Sequence, residues 1–142
     1  MAFPLRSPNE RTSGVVFFAR LVDKIRLQAA GQLPDGYHVG FVEGNRTFDD
    51  RFCTFFDVPW DAFAARVLEG GSDEELLAWA FAHGRQPSAE QIEVWNTFLL
   101  KRGWNDSGTP SLLQSKAAAG LAHRDDIMTF FQLMDVEEGR AA

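Results

Sequence analysis

One helix-start grammar occurs twice in this chain, in Ser72-Asp-Glu-Glu-Leu-Leu-Ala-Trp79 and Ser88-Ala-Glu-Gln-Ile-Glu-Val-Trp95. In each, the serine hydroxyl can accept a bond from the backbone N–H three residues on. The Glu75 or Gln91 side chain can then reach back to the serine's own N–H. An aliphatic residue and a Trp follow three apart, on one helical face. Both segments therefore read as helix starts. Ser7-Pro-Asn-Glu10 has the same outline, with Pro8 where a missing N–H costs nothing, and predicts a third.

The remaining helices follow from apolar spacing and stop signals. Val15, Phe18, Val22, Ile25 and Ala29 form one stripe, stopped by Gly31. Phe48, Phe52, Phe55 and Phe56 form another before Pro59. Trp60, Phe63, Val67 and Leu68 form a third, stopped by Gly70-Gly71. Thr109-Pro110 opens a helix that runs to Gly120, and Asp125-Asp126 leads into one bearing Ile127, Phe130, Phe131 and Met134. The expectation is an all-α single domain over 1–142 with about seven short packed helices. Any strand pair is confined to residues 37–43, and residues 136–142 form a frayed tail.

Composition agrees with a self-sufficient core. The chain has 142 residues, 45% of them hydrophobic, with thirteen Phe and four Trp. A domain of this size buries roughly 68% of its unfolded surface, so neither metal nor disulfide is required. The single cysteine excludes an intrachain disulfide and suits a reducing compartment. No apolar run approaches the roughly 20 residues that span a bilayer, and the N-terminus lacks the apolar stretch of a secretory signal. These features predict a cytoplasmic protein with no membrane partner. A net charge of −6 disfavours nucleic acid as a partner.

Several ordered motifs carry a family likeness. They are Arg6-Ser-Pro-Asn-Glu10, Ala19-Arg-Leu-Val-Asp-Lys-Ile-Arg26, Leu33-Pro-Asp-Gly-Tyr-His38, Val94-Trp-Asn96 and Lys101-Arg-Gly-Trp-Asn-Asp106. Over nearly its whole length the chain resembles a bacterial family named domain of unknown function five thousand and sixty-nine. The resemblance implies a small soluble bacterial protein, and it implies no activity and no catalytic residue.

Residue chemistry narrows the site. His38, His83 and His123 are far apart and lack metal-ligand spacing, so no metal or other cofactor is expected. His83 sits in the last turn before Gly84, where it can serve free carbonyls. Cys53, inside a Phe-rich helix, reads as a buried, inert thiol. Arg20 and Lys24 are one helical turn apart and share a face. The bland reading makes them solvated or paired with nearby acids, and the functional one makes them an anion-binding strip. Asn96 falls on a face that should be buried. It either bonds backbone to hold a loop, the commoner fate of a buried amide, or lines a polar pocket. Trp104, after the stop glycine Gly103, is expected to pack back on Leu99.

The least periodic stretch is Gln32–Arg46, which carries Tyr37 and His38. Long connections of this kind in compact domains are often functional. The expectation is that this segment folds over helix ends to line a polar pocket with Arg20, Lys24, Tyr37, His38 and Asn96, holding a small anionic ligand. On that reading Arg20→Ala weakens the ligand and leaves the melting temperature nearly unchanged. The competing expectation is a loop that only covers the core. Three function classes stay open. One is a ligand- or partner-binding module, another a small enzyme using Tyr37, His38, Arg20 and Asn96, and the third a structural protein forming a homodimer.

Overall fold

The computed structural model describes residues 2–142. Its helices are α1 (Phe18–Ala29), α2 (Phe48–Phe55), α3 (Trp60–Leu68), α4 (Asp73–His83), α5 (Ala89–Lys101), α6 (Thr109–Ala118) and α7 (Phe130–Glu137). A single antiparallel pair, β1 (Arg11–Thr12) and β2 (Val15–Val16), precedes them. The architecture is the all-α one that periodicity predicts, with the strand pair in a different place. Residues 37–43 contribute only an isolated bridge, Val42 with Asn45.

The two strong capping boxes form as written. Ser72 Oγ accepts from Glu75 N at 3.1 Å while Glu75 accepts from Ser72 N, and Ser88 pairs with Gln91 likewise. Each such cap contributes about 1 kcal/mol. The box at Ser7 does not start a helix. Ser7 Oγ donates to Asp135 at 2.8 Å, and Glu10 N closes a turn on Ser7 O. The chain then enters the hairpin, whose two-residue turn has φ of 47° at Ser13 and 83° at Gly14. Two successive positive φ values give the twist that suits tight hairpins. Ser13-Gly14 thus turns the two strands, and Val15 belongs to β2 rather than to the α1 stripe.

Two later helix starts have caps of their own. Gly108, not Thr109, caps α6; Thr109 Oγ1 instead donates to Gly103 O at 2.8 Å. Helix α7 is capped by Thr129, whose hydroxyl accepts from Gln132 N, so Asp125 and Asp126 lie in the preceding turns. Trp104 is 54% exposed rather than packed. A Cβ on Gly103 would meet Leu112 Cδ2 at 2.9 Å and Phe130 Cδ2 at 3.3 Å. Helices α6 and α7 already cover that helix end, and the Trp104 ring is left outside.

The core is aromatic. Phe52 is fully buried, with ring centroids of Phe56, Phe18, Phe63 and Trp95 at 4.9, 5.3, 5.4 and 5.8 Å. Tilted and edge contacts of this kind add about 0.5–1.5 kcal/mol per pair beyond area burial. Helix α1 packs on α3 and α4, while α5 meets β2 and α7. A smaller cluster of Leu112, Ile127 and Leu133 joins α6 to α7. There Lys116 is buried and donates to Arg124 O and Ile127 O, which fixes the connection. Cys53 lies in the main core, and burial pushes its thiol up to about 12, with Asp49 and Asp50 adding to the rise.

Gly84 does more than stop α4. A Cβ there would lie 2.3 Å from Phe56 O and 2.8 Å from Asp57 O. These are backbone atoms, held in part by the bond from Arg85 N to Phe56 O. Gly84→Ala is expected to cost about 1–3 kcal/mol by overpacking, read as a lower urea midpoint. An unchanged midpoint would show that the connection after α2 yields freely.

Candidate functional site

The irregular segment is fixed at two points. At Gly40, N–H donates to Asp49 Oδ2 at 2.8 Å and C=O accepts from Thr47 Oγ1 at 2.8 Å. Gly40 has φ 78° and lies flat against Trp60, where a Cβ would meet Cε2 at 2.9 Å. Thr47 also caps α2 through Asp50 N. The second point is Tyr37, whose hydroxyl donates to Glu138 at 2.7 Å. Held this way, the segment forms one wall of a cavity of about 790 Å³. Facing it are α1, α2, the α5–α6 connection, α6 and α7.

Four of the five sequence-predicted residues, Arg20, Lys24, Tyr37 and His38, line this cavity. Asn96 does not. Its amide instead clamps the hairpin: Oδ1 accepts from Val16 N at 3.0 Å and Nδ2 donates to Gly14 O at 2.8 Å. Trp95 adds an indole N–H bond to Val16 O at 3.1 Å. The amide therefore has the backbone-holding role, because hairpin groups that no third strand satisfies need partners.

Both cations expected to bind an anion are already neutralised. Arg20 is 3% exposed and grips Glu138 with both terminal nitrogens, at 2.8 and 2.7 Å. It also donates to Arg6 O. Lys24 Nζ meets both oxygens of buried Asp49, at 3.0 and 2.9 Å. Glu138 was expected in a frayed tail. It is buried and also accepts from Arg140 at 2.5 Å, so the tail is locked on to α1. Burial alone would raise the Glu138 carboxyl. The bonds from Arg20, Tyr37 and Arg140, with the Arg20 charge, outweigh it and hold the group below its ordinary value. Burial and then Glu138 push the Tyr37 phenol well up, so Tyr37 is a donor and not a base. His38 is exposed at the rim.

The cationic residues that sequence reading missed are at the other end. Arg46, Arg51 and Arg102 line the same cavity. Arg46 pairs with Asp50 at 2.6 Å, and Arg102 lies 3.6 Å from Asp106. Arg51 makes no ion pair and no side-chain hydrogen bond among the described residues. It lies over the Phe98 ring, with Cζ 5.0 Å from the centroid, and Arg102 Cζ lies 5.2 Å from the same centroid. Between the two charged ends the wall is apolar, formed by Phe17, Phe48, Phe130 and Met134. Phe17 stands at φ 75°, an uncommon conformation for a bulky residue. It is locked between Phe48 and Phe131, at centroid distances of 5.5 and 6.2 Å.

Of the other histidines, His83 bonds Trp79 O through Nδ1 at 2.9 Å and stacks on the Trp79 ring, as its place at a helix end suggests. Among the described residues no group of three or more His, Cys, Asp or Glu is placed to hold a metal ion. No described helix is long and apolar enough to cross a membrane.

The chain belongs to the family described as Domain of unknown function (DUF5069), whose pattern it matches over residues 2–140. This is the family to which the motifs around Arg6, Arg20, Tyr37, Asn96 and Arg102 point. No curated protein matches the chain.

Proposed function

We propose that this protein is a ligand-binding module and that the cavity beneath residues 35–49 is its binding site. The observation that carries this reading is the lining. A space of about 790 Å³ joins an apolar wall to polar groups at both ends. That size and composition are typical of sites for small organic molecules. The fold invests in keeping the cavity open, since Asp49, Thr47 and Glu138 each tie the covering segment to a helix.

The enzyme reading fares less well. Arg20 and Tyr37 meet at Glu138, but Asn96 serves the hairpin instead and the Arg20 charge is taken up by Glu138. The one cavity hydroxyl bonded to a carboxylate among the described residues, Tyr37 on Glu138, is pushed well up by burial and by Glu138, so it is a poor nucleophile.

A ligand-observed NMR screen of a small fragment library, on the wild type and on Ser115→Trp, tests the proposal. Ser115 lines the cavity from an exposed position on α6, so a Trp there can fill the space without breaking the core. Fragments should bind the wild type and be lost from the variant, with both proteins folded. Fragments that bind both equally, or no fragment binding at all, would remove the cavity as the site.

A further inference from the structure

We propose that the ligand is an amphipathic organic monoanion, with its negative group at Arg51 and Arg102 and its apolar body along Phe48, Phe130 and Met134. This inference rests on the ligand-binding reading of the cavity and names the ligand class.

The charge inventory carries it. Of the cations lining the cavity, Arg20, Lys24 and Arg46 each have a carboxylate within 3.0 Å. Arg102 has only the longer contact to Asp106. Asp106 is itself divided, since it also accepts from Gly103 N and Gly108 N. Arg51 has no anionic partner among the described residues. Two guanidinium groups therefore crowd one Phe98 ring with little to offset their repulsion. Burial first, and then the charges of Arg102 and Arg46, shift the Arg51 guanidinium down against the smaller opposing effect of Asp50 and Asp106. An oxyanion bound there would relieve both groups, and the planar fork of arginine suits carboxylate and phosphate oxygens.

The surroundings limit the ligand's charge. Arg46, Arg51 and Arg102 face Asp50 and Asp106, so one positive charge is left over at this end. The opposite end carries Asp35, Glu137 and Glu138, and the whole chain is acidic. One negative charge is therefore matched there, and a second would meet repulsion. Ser107 Oγ accepts from Arg102 at 3.2 Å, which leaves its hydroxyl proton for the ligand. The start of α6 offers little, because Gly108 N–H is already used by Asp106. Beside the arginines, Phe48 and Phe130 are half-buried and meet edge-on, with centroids 6.4 Å apart. They present ring surface to a flat body.

Isothermal titration with three probes of one shape tests the inference: naphthoate, naphthalene methanol and naphthyl phosphate. Naphthoate should bind the wild type about tenfold more tightly than the neutral alcohol, the size of one charge-assisted bond. Naphthyl phosphate should bind no more tightly than naphthoate. Arg51→Met keeps the apolar stem over Phe98 and should remove most of the difference between naphthoate and alcohol. Raising the salt concentration should weaken naphthoate and spare the alcohol, a readout that needs no variant. If alcohol and carboxylate bind wild type equally, or Arg51→Met leaves naphthoate unchanged, the inference falls and the cavity reading stands on its fragment screen. A phosphate that binds more tightly than the carboxylate overturns the monoanion assignment. Naphthoate binding that survives in Ser115→Trp places the probe outside the cavity and overturns the inference, while the cavity reading is decided by its fragment screen.

Discussion

Arg20→Ala should lose about 3–5 kcal/mol of folding stability, the usual cost of breaking one side of a buried ion pair. The melting temperature should fall by roughly 10 °C or more. The change would take from Glu138, which is 9% exposed, both bonds of its most buried cation and leave it to Arg140 and Tyr37. It would also free Arg6 O and loosen the tail that Arg140 fastens to Leu5 O. Of the two readings open from sequence, this is the outcome for an arginine paired with an acid; a ligand-binding Arg20 would leave the melting temperature nearly unchanged. Replacing Arg20 and Glu138 together by apolar residues of similar volume should cost much less than either single change. A double variant as unstable as the worse single one would show that the pair itself contributes the stability. The pH dependence has a definite sign. The Glu138 carboxyl is held below its ordinary value of 4.5, so its contribution is complete above that value. It is lost as the pH falls further, through the lower value of the folded state. Glu138→Gln should flatten the acid limb of the stability profile.

The second large effect belongs to Asn96. Asn96→Ala should cost about 2–4 kcal/mol, because two bonds go and the Val16 N–H is left buried without a partner. Val16 is fully buried, so water cannot replace the amide cheaply. Asn96→Asp keeps an acceptor for Val16 N but turns an oxygen towards Gly14 O, and should be nearly as damaging. Hydrogen exchange would localise the effect, with the Val16 amide exchanging far faster in Asn96→Ala than in the wild type. Unchanged protection at Val16 would mean that the hairpin is held by Trp95 and the core alone.

Local signals made most of the helices legible. Ser72 and Ser88 specify their own helix starts, and Gly31, Gly70 and Gly103 follow their helices as stops must. The Ser7 box failed because its partner was not local. Ser7 and Asn9 bond Asp135, far along the chain, and that contact outweighs one turn of helix. The hairpin was misread for a related reason. Ser13-Gly14 is flanked by the β-branched Thr12 and Val15, but so short a ladder has no alternation long enough to display. The cavity was legible in outline, since an unpatterned segment with Tyr37 must be held by something. Its electrostatics were not. Adjacent acids such as Asp49 and Asp50 look alike in sequence, yet Asp49 is buried under Lys24 and Asp50 is drawn outward by Arg46. Glu138 sits in a charged tail that resembles solvated surface. Arg102 follows Phe98 by four residues, but Arg51 is on α2 and only the tertiary packing brings it to the same ring.

Two kinds of arginine line one cavity: Arg20, buried on Glu138 and proposed to hold the fold, and Arg51, without a carboxylate partner among the described residues and proposed to meet the ligand. Measuring the melting temperature and the naphthoate affinity of Arg51→Met on the same sample tests that separation most directly. The predicted result is a melting temperature within a few degrees of the wild type, as for a surface change, with affinity reduced about tenfold. Unchanged affinity, or a fall in melting temperature as deep as that of Arg20→Ala, would contradict it.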